Sequence, residues 1–327
     1  MTPEDLVGRL FPAVPVPMDA EGRWHEAGQR DYIQYMARQP IGGVAVWAHT
    51  GRGLRLSEGL RADVLRSWRE AFGPDRFVIA AAGARPDAER PEQVVRQAAE
   101  MAEQAVELGA DALLVHPPTA FRGRPDEDDW VYQYHSAVAE AGRPLILFLL
   151  YEAAGGILYG PEVLAQLLGR PEVLGIKVAT LDSVMTFQEI SAMVQNQAPD
   201  KVVVTGEDRF LGYSLMTGAR SALIGMGAAC TRLQAELLRS HLQGDAGRFL
   251  AINPLVDDLG RHTFRPPMEG YILRMLWCLV HQGLLPAEAA HDPWGPTIPP
   301  EEFKEIGDCL RRIGQFDPEA DPLVIPS

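Results

Sequence analysis

One lysine stands out by its surroundings. The chain has lysine at only three positions, 177, 201 and 304, and uses arginine for every other permanently cationic side chain. Lys177 sits inside the apolar run Val173-Leu174-Gly175-Ile176-Lys177-Val178-Ala179. Arginine stays charged in such a place, whereas a desolvated lysine gives up its proton. A neutral amine attacks a ketone carbonyl and forms an imine. A second reading stays open on spacing alone, that of a strand-end lysine whose ammonium snorkels to solvent. Tyr151 closes an earlier apolar run that starts at Leu145. If the two runs are neighbouring strands, the phenol comes within a substrate's width of the amine and can move protons around an imine. A tyrosine that merely caps the core is the alternative.

These two residues need a scaffold, and the rest of the chain supplies a rhythm. Apolar runs rich in β-formers occur at 10–16, 42–47, 77–82, 112–116, 145–151, 173–178, 201–205 and 221–224. Between them lie segments with apolar spacings of three and four, such as Val94, Val95, Ala98, Met101 and Ala102, the signature of amphipathic helices. Ser57 before Glu58, and Gly160-Pro161-Glu162, are helix-start signals. Eight strand–helix units with short connections predict a parallel sheet closed into a (β/α)8 TIM barrel. An open doubly wound sheet would call for a Gly-x-Gly-x-x-Gly turn after the first strand, and Val16-Pro17-Met18-Asp19 stands there instead. From Ala229 onward the strands stop. Helices are expected at 249–259, 267–282 and 300–313, with Gly283 and Gly314 as end signals. The expected division is a barrel over 1–228, and the last barrel helix with a helical appendage over 229–327.

Chemistry in such a barrel sits at the carboxyl ends of the strands. Strand alternation puts Gly175 and Val173 on the same side as Lys177, and Gly175 would leave room beside the amine. Thr50 and Gly51, directly after the second strand, could aim successive backbone N–H groups at one carboxylate; a plain turn is the alternative. Gly206 and Ile224, at the ends of the seventh and eighth strands, are read as substrate-lining. His49 and His116 also end strands, but neither has a further ligand at metal spacing, so no metal site is expected. Gly225-Met226-Gly227 resembles a phosphate-holding turn, which defines a rival reading as a barrel enzyme for a phosphorylated substrate. No cofactor is called for.

Composition sets limits. A net charge of −14 argues against nucleic acid as a partner. The three cysteines, Cys230, Cys278 and Cys309, form no Cys-x-x-Cys motif and read as reduced residues of a cytoplasmic protein. The first nine residues carry no secretory pattern, and no apolar run reaches the ~18 residues of a membrane span.

The whole pattern resembles the dihydrodipicolinate synthase / N-acetylneuraminate lyase family of class I aldolases. The likeness rests on Pro15 and Pro17, His49-Thr50-Gly51 with Leu56-Ser57-Glu58, Pro117-Pro118, Tyr151, Gly175-Ile176-Lys177, Gly206-Glu207-Asp208, Gly218-Ala219 and Phe264-Arg265-Pro266-Pro267. The resemblance implies a barrel with a helical C-terminal appendage, assembled as a homotetramer or homodimer. It also implies Lys177 as the imine former on a 2-oxo acid such as pyruvate, Tyr151 as the proton shuttle, and Thr50 and Gly51 as carboxylate binders. Departures bear on substrate. Ala48-His49-Thr50-Gly51-Arg52 replaces the family's Gly-Thr-Thr-Gly-Glu, so an imidazole stands where a relay hydroxyl is usual. Thr119-Ala120 replaces a tyrosine pair. Glu152-Ala153-Ala154-Gly155-Gly156 follows Tyr151, without the arginine with which the synthase grips its aldehyde partner. These changes argue against dihydrodipicolinate synthesis, and Glu152 and His49 are read as contacts to a polar second half. A non-catalytic, metabolite-binding descendant of the family is a further alternative.

Overall fold

The computed structural model describes residues 1–316. After a helical turn, α1 (Pro3–Leu6), strands and helices alternate: β1 (Leu10–Pro12), α2 (Glu26–Met36), β2 (Gly43–Val46), α3 (Glu58–Phe72), β3 (Phe77–Ala82), α4 (Pro91–Glu107), β4 (Ala112–Val115), α5 (Glu127–Ala139), β5 (Leu145–Leu150), α6 (Pro161–Leu168), β6 (Val173–Ala179), α7 (Val184–Gln197), β7 (Val202–Thr205), α8 (Leu211–Met216), β8 (Ser221–Ile224) and α9 (Thr231–Leu242). All eight strands are parallel, ordered β1-β8-β7-β6-β5-β4-β3-β2. The ring closes where Val14 N–H donates to the Ala45 carbonyl at 3.1 Å, beside the Ala13–Ala45 bridge. This is the (β/α)8 barrel the spacing predicts. Apart from the half-buried Phe77, every strand residue is buried, which explains why the strands read as continuous apolar runs rather than alternating ones.

Local signals act as expected at several helix starts. The Ser57 hydroxyl accepts from Leu60 N–H at the start of α3, and Pro161 opens α6 behind Gly160. Beyond α9 come α10 (Ala246–Thr263), α11 (Tyr271–His281) and α12 (Glu301–Phe316). Gly283 does follow α11, at φ 68°. Gly314 does not end a helix, because α12 runs on to Phe316. Among the described residues no helix is long and apolar enough to cross a membrane.

The strand alternation needs correction. Leu145 pairs with Val173 but Ile146 pairs with Gly175, so the register slips by one at Leu174. A Cβ on Gly175 would meet the Val202 carbonyl oxygen at 2.0 Å. Gly175 is therefore glycine because β7 runs against it, and not to make room beside the amine.

The appendage is fastened by a buried arginine. Arg274 of α11 is fully buried. Its Nε donates to Glu302 of α12 at 2.7 Å, and its Nη1 to the carbonyls of Arg265 and Pro267 at 2.7 and 3.1 Å. One guanidinium thus ties α11, α12 and the 265–267 loop together. Removing one partner of such a pair strands the other charge out of water, at about 3–5 kcal/mol. Arg274→Ala is expected to lower the thermal midpoint markedly, measured by calorimetry or circular dichroism. A midpoint within a degree of wild type would show that the fork holds nothing.

Candidate active site

Lys177 lies on β6 with its side chain in the barrel, 6% exposed. Its Nζ stands 3.9 Å from the centroid of the Phe148 ring. Among the described residues no carboxylate oxygen lies within 4.0 Å of it, as an ion pair would require. Burial pulls the amine below its ordinary value, while the charges of Asp208 and Glu207 pull the other way. These two acids are held by backbone instead. Asp208 Oδ1 accepts from Met226 N–H at 2.7 Å. Glu207 accepts from the N–H groups of Thr180 and Leu181 at 2.7 and 2.8 Å. Burial pushes Glu207 up to about 8 and also raises Asp208. Room for the amine comes from Gly206, where a Cβ would sit 2.6 Å from Lys177 Cε.

The residue level with Lys177 on the adjacent strand is Phe148, not Tyr151. Tyr151 follows the last residue of β5 and stands one step higher, at the rim. Both residues and Lys177 line one small space, shared with His49, Thr50, Gly206, Asp208, Gly225, Phe264 and Tyr271.

The tyrosine's partner comes from far along the chain. Tyr151 O–H donates to Glu269 Oε1 at 2.6 Å. His49 Nε2 lies 3.0 and 2.9 Å from the two Glu269 oxygens, and Arg52 Nη1 donates to Oε2 at 2.8 Å. Arg52 also forks onto Asp292. Burial alone would raise Glu269, but the bonds from His49, Tyr151 and Arg52 hold it down at about 2. An ionised Glu269 makes His49 Nε2 a donor. Burial first, then the nearby charges of Tyr271 and Glu269, raises Tyr151 far above an ordinary phenol. The phenol thus stays protonated, its hydroxyl hydrogen-bonded to an ionised carboxylate. Alongside, Thr50 Oγ1 and Tyr271 O–H lie 3.0 Å apart.

The structure brings Lys177, Tyr151, His49, Thr50 and Gly206 together and leaves three expected residues out. Gly51 lines neither space at the barrel mouth that holds His49; its N–H is spent on the Ala48 carbonyl at 2.9 Å. It is glycine because a Cβ would lie 2.9 Å from the Val14 carbonyl. In the turn His49–Gly51 the N–H groups that open it belong to His49 and Thr50, and such groups have no carbonyl within the turn. Glu152 is exposed and paired with Arg122, turned away from the mouth. Ile224 is buried core, its carbonyl accepting from Ala13 N–H. The Gly225–Gly227 turn is no vacant anion cradle either, because the Asp208 carboxylate already takes the Met226 amide. Sequence reading missed Glu269 and Tyr271. Glu269 lies 118 positions from Tyr151, and no local spacing announces it.

A second space adjoins the first and shares His49 and Phe148 with it. It measures about 330 Å³ and opens between the loops after β2, β3, β4 and β5.

A closed barrel whose mouth holds a water-shielded amine beneath a phenol is the layout of a lysine-centred barrel enzyme. The chain belongs to the dihydrodipicolinate synthetase family, whose model matches residues 6–302. It is 26% identical over 260 residues to a 4-hydroxy-tetrahydrodipicolinate synthase of Synechococcus sp. (strain CC9605), covering 79% of this chain and 80% of that protein. In fold it is similar to a sialic acid aldolase of Ruminococcus gnavus (TM-score 0.81, 19% identity, 96% and 99% of the two chains). It is likewise similar to YagE, a prophage protein of E. coli K12 solved with pyruvate (TM-score 0.81, 18% identity, 93% and 98%).

A lysine with this environment loses its proton early. Competitive labelling of Lys177 with a small acylating reagent is expected to rise with pH and level off well below the ~10.4 of free lysine. A curve that follows free lysine would contradict the desolvation described.

Proposed function

We propose that the protein is a Schiff-base lyase acting on a 2-oxo acid, pyruvate or a longer keto acid, by aldol cleavage, aldol addition or dehydration. The observation that carries this is the buried Lys177 amine, with no carboxylate at ion-pair distance among the described residues, sharing one space with a phenol that is hydrogen-bonded to a carboxylate. The family and the relatives' names support a carbon–oxygen or carbon–carbon lyase of this class.

The chain's own residues support the following course. Lys177 Nζ attacks the 2-oxo carbon, and the carbonyl oxygen leaves as water once protonated, which gives an iminium. In the cleavage direction Tyr151 oxygen takes the proton of the hydroxyl two carbons away and passes its own to Glu269. The carbon–carbon bond breaks as that hydroxyl becomes a carbonyl, and its electron pair moves into the iminium to leave an enamine. Protonation of the enamine carbon and hydrolysis free the shortened oxo acid and the amine. Thr50, with the N–H groups that open its turn, is placed to hold the substrate carboxylate. Glu269 takes the relay place for which the family uses hydroxyls.

The missing arginine after Tyr151 is why we infer a carbonyl partner other than that of dihydrodipicolinate synthesis, although the Synechococcus relative carries that activity in its name. The reading includes a cytoplasmic homo-oligomer, in line with three buried cysteines that form no disulfide among the described residues and with the family resemblance.

Borohydride reduction in the presence of pyruvate is expected to fix an adduct on Lys177, found by peptide mass spectrometry and lost in Lys177→Ala. An unmodified Lys177 across a panel of 2-oxo acids would overturn the proposal. Tyr151→Phe and Glu269→Gln should still allow an adduct to form, but slow turnover by about 10²–10⁴-fold, the usual share of a proton-transfer group. Equal turnover in Glu269→Gln would remove Glu269 from the relay.

A further inference from the structure

The 330 Å³ space beyond Phe148 is of the size that holds an organic ligand, yet the three-carbon head of a 2-oxo acid needs only the small space at Lys177. Its walls are mostly small and apolar, with alanines from several of the strand-end loops. Apart from the relay residues His49, Arg52 and Glu269 and the hydroxyl of Thr119, three polar side chains break that pattern. His116, at the end of β4, is 9% exposed and lines the space. Among the described residues its imidazole has no hydrogen-bond partner and only an edge contact to Phe148, ring centroids 5.8 Å apart. Burial pushes it down to about 3, so it is neutral and offers one donor and one acceptor to whatever enters. In folded proteins a buried polar side chain as a rule has a hydrogen-bond partner. The other two features are Arg55 and Arg85, both exposed at the outer wall. Arg55 has no side-chain partner among the described residues. Among the described residues Arg85 pairs with Asp87 alone, at 3.6 Å and mostly solvated. Arg52 also lines the space, but Glu269 and Asp292 already neutralise it. In a chain of net charge −14, the far end of this cavity is thus cationic.

We propose that this space is a subsite for the distal half of the substrate, and that this half ends in a second anionic group held by Arg55 and Arg85, with His116 as hydrogen-bond partner to oxygen on the way. The substrate class is then a 2-oxo acid longer than pyruvate with an anion at each end. This rests on the Schiff-base reading and narrows it.

The test is the concentration dependence of borohydride trapping on Lys177, followed by intact mass, for pyruvate, 2-oxohexanoate and 2-oxoadipate. The last two share a chain length and differ in the charge of the far end. The half-saturating concentration of 2-oxoadipate is expected about tenfold or more below that of 2-oxohexanoate, as for a hydrogen bond to a charged group. That ratio should shrink with added salt and fall to near one in Arg55→Ala/Arg85→Ala. Equal half-saturation of the two acids in the wild type would overturn the subsite while pyruvate trapping still upheld the lyase. An advantage that survives loss of both arginines would overturn their assignment. Failure of all three acids to trap would remove the parent reading, and the subsite with it.

Discussion

The desolvation of a single amine governs this molecule. Lys177 occupies a strand interior where water is excluded and where an aromatic face, not a carboxylate, meets its nitrogen. Two acids stand close enough to feel its charge, but backbone amides of the loops after β6 and β8 claim them. A direct ion pair would hold the proton on the amine and close the route to an imine. The fold avoids that pair by spending its nearby carboxylates on its own turns. Gly206 completes the arrangement by leaving the space that the lysine stem needs.

The proton chemistry is assembled from the opposite end of the chain. Glu269 reaches the mouth from the turn that opens α11, and its two oxygens are shared among Tyr151, His49 and Arg52. That sharing keeps it ionised despite burial. The loop before it is gripped by Arg274, which also holds α12. Strain gathers in the same region. The non-glycine residues with positive φ among those described, Trp47, Arg52, Leu181 and Cys230, all follow strand ends at the carboxyl face. Each such residue costs about 1–3 kcal/mol and persists only where its surroundings fix it. Arg52 is fixed by Glu269 and Asp292, and Leu181 by its N–H to Glu207.

The barrel was legible because its strands are buried on both faces and therefore written as unbroken apolar runs. Their alternation with helix-spaced segments leaves one closed topology. Lys177 and Tyr151 were legible for the same reason: each is a polar residue placed where the pattern calls for an apolar one. The illegible parts depend on distance or on a slip in phase. The bulge at Leu174 brings Phe148, rather than Leu149, level with the amine, and Tyr151 stands three residues beyond. Glu152 follows Tyr151 in sequence but turns outward, while Glu269 takes the place beside the phenol from another element. Ile224 ends β8 as expected, yet its carbonyl is consumed by the β1–β8 seam, and the Gly51 amide is consumed by its own turn. Position at a strand end fixes a residue's level; it does not fix whether its groups remain free.

That the carboxylate partner of Tyr151 lies beyond the eighth strand has a consequence for how the molecule comes into being. Synthesis proceeds from the amino terminus, so every barrel strand, with the lysine and the phenol, leaves the ribosome before Glu269 has been added. The nascent barrel has its nucleophile but no group to receive the tyrosine's proton. Competence arrives only when the segment leading into α11 emerges and docks, so the proton relay is the last part of the site to be assembled.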